Sequence, residues 1–230
     1  MNSNLQHTFG NTITSAVARN RVLRNTYLLL AISMAPTILG AWLGVRLDFS
    51  LFAGSPGVGF IAFMAIAFGF FYAIEKTKDS GLGVAILLGF TFFMGLMLSR
   101  LINHTLGYSN GASLIMVAFG GTATIMGVMA TVATVSKRDF SGLGKWLFAG
   151  LLVIIVASIA NIFLQLPALH LAVSVIAIGI FSAYILFDVQ QIINGGETNY
   201  ISATLRIYLD VYNIFTNLLA LLGIFGGNRD

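Results

Sequence analysis

Residues 202–227 read SATLRIYLDVYNIFTNLLALLGIFGG, an apolar run long enough to cross a bilayer that nevertheless carries Arg206 and Asp210. Charges at membrane depth cost several kcal/mol unless they pair, protonate or line water. Arg206, Asp210, Asn213 and Asn217 recur at i, i+4, i+7 and i+11, which places them on one face of a helix. A stripe of polar groups that long is poorly suited to lipid. The segment is therefore expected at the centre of a bundle, with other helices around it.

The remainder of the chain supplies those helices. Of 230 residues, 57% are hydrophobic and only 9% charged, against about a quarter charged in a soluble domain. The mean hydropathy is +0.91. Apolar segments fall at 27–45, 57–74, 82–102, 112–135, 146–164, 168–190 and 203–223. Each is long enough to cross the roughly 30 Å hydrocarbon core at about 1.5 Å per residue. The predicted fold is all-α: seven transmembrane helices in one domain over 27–225, the last enclosed by the other six. Pro36 should kink the first span, and Gly40 with Gly44 gives it a small face for close helix contact.

Loop charges orient the bundle. With the N-terminus inside, the cytoplasmic side holds Arg19, Arg21, Arg24, Lys76, Lys78, Lys137, Arg138, Lys145 and Arg206, and the other side only Arg46, Arg100 and Arg229. Nine against three satisfies the positive-inside rule. Residues 1–26 then form a polar, basic cytoplasmic tail, and 226–230 a short periplasmic C-terminus. The apolar run after the tail is too long for a signal peptide and is expected to stay as the first span.

Many chemistries have no residues to carry them. There is no cysteine, and the three histidines lie far apart without zinc-ligand spacing. No nucleophile elbow, Walker loop or basic-aromatic cluster for nucleic acid occurs. GVGFIA at 57–62 imitates a dinucleotide fingerprint, but no strand precedes it. No catalytic residue and no cofactor are expected.

Two acids stand apart from the loop charges. Asp188 and Asp210 flank the glycine turn NGGETNYI at 194–201, on consecutive antiparallel spans, at similar depth below one surface. Tyr184, Asp188 and Gln191 share a face of the sixth span, opposite the stripe of the seventh. Two neighbouring carboxyls do not easily both ionise and share a proton unless Arg206 offsets them. Such a pair can act as a pH switch or a cation site, calcium included. Alternatively, Arg206 and Asp210 form only an intrahelical salt bridge and Asp188 is hydrated near the headgroups.

At these residues a resemblance becomes specific. FDVQQIINGGETNYISATLRIYLDVYNIFTNLLALLG at 187–223, ANIFLQLPALHLAVS at 160–174 and VLRNTYLLL at 22–30 resemble the Bax-inhibitor-motif family of membrane proteins. The resemblance extends over all seven spans. It implies one of two roles. In the bacterial branch most similar to this chain, the protein binds the FtsH membrane protease and restrains it, with the N-terminal tail (here Arg19, Arg21 and Arg24) as the contact. In another branch, two aspartates matching Asp188 and Asp210 share a proton and gate a calcium leak. That branch places an arginine on the second span, whereas 57–74 here has no charge. The implied location is the bacterial inner membrane.

Overall fold

The computed structural model describes residues 3–50 and 56–227. Among these residues seven helices follow one another: α1 (Ser3–Arg46), α2 (Pro56–Thr77), α3 (Gly81–Leu106), α4 (Gly111–Val135), α5 (Leu143–Leu164), α6 (Pro167–Ile193) and α7 (Tyr200–Gly226). All seven are long and apolar enough to cross a membrane. Their bounds run past the apolar segments because polar end turns continue the helices to their caps. The difference is largest in α1. The sequence placed a polar, basic tail before residue 27, and the helix runs continuously through that segment from Ser3.

The turns explain the antiparallel order. α5 ends on Gln165 in the left-handed conformation (φ 51°), the Asn161 side chain accepts from Leu166 N–H at 2.9 Å, and Pro167 opens α6. Proline costs nothing at a helix start, where its missing N–H has no partner to lose. α6 ends on a six-to-one turn, Gly196 N–H to Gln191 C=O at 2.8 Å, with Gly195 at φ +80°. At Gly196 a Cβ would meet only the end of the flexible Gln191 side chain.

α7 is the axis of the bundle, and the expected ring of six helices around it is corrected to five. Among the described residues it packs against α1, α2, α3, α4 and α6, whereas α5 reaches only α6. No residue of α7 from Ile207 to Gly223 is exposed. α5 is left outside because it packs edge-on to α6, through Gly144 against Phe187 and Gly150 against Ile180.

The tightest contact joins α1 to α3. A Cβ on Gly40 would strike the Phe92 carbonyl, and one on Gly95 the Thr37 carbonyl. Backbone thus lies against backbone from both sides, as expected where lipid offers no hydrophobic drive and packing must come from close approach. That approach brings Thr37 and Thr91 to α7. The Thr37 hydroxyl and Tyr208 Oη lie 2.9 Å apart, and Thr37 Oγ1 also bonds the Ser33 carbonyl at 2.8 Å. Lower and higher on α7, Thr204 donates to Thr26 C=O (3.3 Å) and Tyr212 to Met94 C=O (3.2 Å). Rings of α2, α3 and α7 fill the space between, Phe70 and Phe71 against Phe90, and Phe90 against Tyr208.

Candidate functional site

Asp188 and Asp210 meet across the α6–α7 interface, both buried, with their carboxyl groups in hydrogen-bonding reach of each other. The sequence placed the two acids at similar depth, and the helix ends leave a difference for the side chains to close. Asp188 lies about 8 Å from the end of α6, and Asp210 about 15 Å from the start of α7. Side chains, however, tilt toward the N-terminus of their own helix. On antiparallel neighbours Asp188 therefore leans inward and Asp210 outward, and the two converge. Oδ2 of Asp210 is buried and has no hydrogen-bond donor. One proton held between the two carboxyls would supply it.

Arg206 does not pair with either acid. It is exposed, and its guanidinium bonds Glu197 Oε2 at 3.2 Å. It is close enough to both aspartates to act on them electrostatically. Glu197, read from the sequence as an ordinary loop charge, is a latch. Its other oxygen accepts from Asn199 N–H at 2.9 Å. Asn199 in turn caps α7, accepting from Ile201 and Ser202 N–H, and reaches across to Lys78 C=O (3.0 Å) and Asp79 Oδ1 (2.9 Å). The α6–α7 loop is thereby tied to the α2–α3 loop. There the Lys78 ammonium bonds Glu75, which holds its pKa above the ordinary value.

The remaining members of the polar seam divide. Tyr184 stands beside the acid pair, within electrostatic reach of both carboxyls. Asn213 and Asn217 turn back on their own helix, bonding Leu209 C=O at 2.7 Å and Asn213 C=O at 2.8 Å. Gln191 belongs to the turn that ends α6. Arg19, Arg21 and Arg24 are exposed on α1, with the Arg19 stem next to Gly195 of the α6–α7 loop. Arg229 and Asp230 lie outside the described residues.

The sequence pattern missed Gln190. This buried side chain donates to Arg138 C=O at 2.7 Å and accepts from Phe140 N–H at 2.5 Å, reading the α4–α5 loop as a strand would. It stands two residues beyond Asp188, so the acid pair and the basic loop share one anchor. Nothing in the spacing of α6 reveals the partner, because the loop backbone has no signature. Gln190→Leu would strip two hydrogen bonds, each leaving an unmet group worth about 1–3 kcal/mol. Trypsin should then cut after Lys137 or Arg138 roughly tenfold faster or more, since nicking follows the population of the open loop. An unchanged cleavage rate would show that the loop is held elsewhere.

Among the described residues no three histidine or acidic side chains converge as a metal site. Calcium prefers six to eight oxygens, so the two carboxylates could serve a passing, hydrated cation better than a resident one.

The chain's relatives give its family. Residues 19–227 match the family model described as inhibitor of apoptosis-promoting Bax1. The chain is 39% identical over 210 residues to the modulator of FtsH protease YccA of Escherichia coli K12, covering 91% of this chain and 93% of that one. It matches the protein called inner membrane protein YccA in a second Escherichia coli strain to the same degree. An uncharacterized membrane protein of Vibrio cholerae is 36% identical over 221 residues, with 94% and 97% covered. Seven spans, near-complete coverage and this family match together place the chain in the Bax inhibitor family of membrane proteins.

Proposed function

We propose that this protein is a regulatory subunit of the inner membrane that binds an FtsH-type protease and restrains its proteolysis of membrane proteins. It acts by binding, not by catalysis. The carrying observation is the similarity over almost the whole chain to a protein named for that role. The shape of α1 supports it. Forty-four residues of helix measure about 66 Å, twice the roughly 30 Å core of a bilayer. The N-terminal part of α1 is therefore a helical extension that a protease in the same membrane can grip. In this reading α1 begins in the cytoplasm and the chain ends in the periplasm.

Deleting residues 1–16 leaves the spanning helices intact. The variant should lose co-purification with FtsH by about tenfold or more, as when the anchor of an interface is removed, and FtsH substrates should regain their normal turnover. Undiminished association would remove the main support for this reading.

A second reading rests on the acid pair. Buried carboxyls in mutual contact beside a latched arginine suit a proton-sensitive leak for calcium or another cation, with the ion as cargo and not as cofactor. The two roles can coexist, because the Arg19 stem of α1 lies near Gly195 of the α6–α7 loop.

A further inference from the structure

The end of the bundle opposite the acid pair carries a cavity of about 260 Å³ between the last turns of α1 and α3. It is lined by Asp48, Phe49, Ser50, Ser99, Arg100 and Asn103, together with Gly44. This is several times the roughly 30 Å³ share of one water. Its polarity is mixed in an ordered way. Arg100 is an exposed cation on one wall and Asp48 an exposed anion on another, yet the two form no ion pair. Among the described residues the ion pairs are Lys78–Glu75 and Arg206–Glu197 alone. The Ser50 hydroxyl is buried and without a partner.

The turn that shapes the cavity is built for Asp48. α1 ends on the bond from Phe49 N–H to Gly44 C=O at 2.8 Å, and the residue that must be left-handed there is Asp48, at φ 48°. Glycine is the usual occupant of that position. An aspartate placed there sets a carboxylate at the cavity wall. α1 and α3 both present C-terminal ends nearby, and the negative ends of their dipoles favour positive charge. A plain anion is therefore disfavoured, although Arg100 asks for one. Both demands are met by a ligand that holds the two charges a few ångströms apart.

Depth narrows the class. Trp42 lies one turn before the end of α1, exposed, with the Arg46 guanidinium 5.1 Å from its ring centre. Tryptophan and arginine at a helix end mark the headgroup level of a bilayer. We infer that the cavity binds the headgroup of a zwitterionic phospholipid bearing a primary ammonium: the phosphate on Arg100, Asn103 and Ser50, the ammonium on Asp48. An ammonium with N–H donors suits that wall better than a quaternary one, which has none to give.

Delipidated full-length protein is mixed with equal amounts of phosphatidylethanolamine, phosphatidylcholine and phosphatidylglycerol, and retained lipid is read by native mass spectrometry. One phosphatidylethanolamine should be kept over either competitor by about threefold to tenfold, the range of a modest charge contact. Arg100→Gln should lower retention of all three. Asp48→Gly should bring phosphatidylethanolamine down to the level of phosphatidylglycerol without harming the fold, since glycine accepts the left-handed turn. Soluble phosphoethanolamine should fail to displace the lipid, which assigns the site to membrane lipid; displacement at millimolar levels would assign it to the free headgroup. Equal retention of the three lipids by the unmodified protein would overturn the inference. A preference that survives Asp48→Gly would do the same.

Discussion

Gly95→Ala is expected to destabilise the bundle by about 1–3 kcal/mol, the typical cost of overfilling a packed contact, while Gly127→Ala leaves it unharmed. The difference lies in what the new methyl meets. At Gly95 it would press on the Thr37 carbonyl, and the matching contact of Gly40 with Phe92 leaves α1 no room to slide. At Gly127 it meets nothing within 4 Å, and alanine is the better helix former by nearly 1 kcal/mol in water. Parting α1 from α3 also pulls Thr37 from Tyr208 and from the Thr91 carbonyl, which lies 3.2 Å from the Thr37 hydroxyl. A buried tyrosine hydroxyl would then lose partners in a medium that supplies no water. Gly95→Leu should prevent accumulation of folded protein altogether. The measurement is the fraction remaining monodisperse after a heating series in detergent. Equal midpoints for the Gly95 and Gly127 variants would mean that the close approach contributes nothing.

These packing details show where the sequence was informative. The apolar segments specify seven crossings because a bilayer admits few alternatives to helices, so length and composition suffice. The polar stripe of α7 identified the central helix for the same reason. Partners across space were harder to read. The pairing of Asp188 with Asp210 followed from two helices joined by one turn. Helical spacing offered Asp210 as an alternative salt-bridge partner for Arg206, but its actual partner, Glu197, lies back along the chain beyond the cap of α7. Spacing describes one helix and says nothing of how a loop folds over its end. Gln190 was overlooked on similar grounds, as its partners are backbone atoms of a distant loop. The outlying position of α5 was equally hidden. Its residues are as apolar as a central helix would require, and only the small residues at its contact with α6 distinguish one face.

Asp210→Asn separates the two proposed roles most sharply. In liposomes the unmodified protein should pass calcium faster as pH rises through the range in which the acid pair gives up its shared proton. Two unit charges about 4 Å apart repel by about 4 kcal/mol at an effective dielectric near 20, nearly a thousandfold in an equilibrium between closed and parted helices. That repulsion acts on the α6–α7 interface, where both acids are buried, and the same charges draw in a cation. Asparagine keeps the shape and a hydrogen-bond donor for Asp188 but carries no charge at any pH. The variant should therefore stay at the low-pH flux throughout, with its pH response abolished. Arg206 offers a check on the cause. Held by Glu197, it stands off from the pair; Glu197→Ala releases it to neutralise one carboxylate, and flux at high pH should fall toward that of the Asp210→Asn protein. Association with FtsH should be unchanged in both variants, because residues 1–16 are untouched. Calcium flux that keeps its pH response in Asp210→Asn would sink the leak and leave the acid pair as a buried clasp holding α7 to α6.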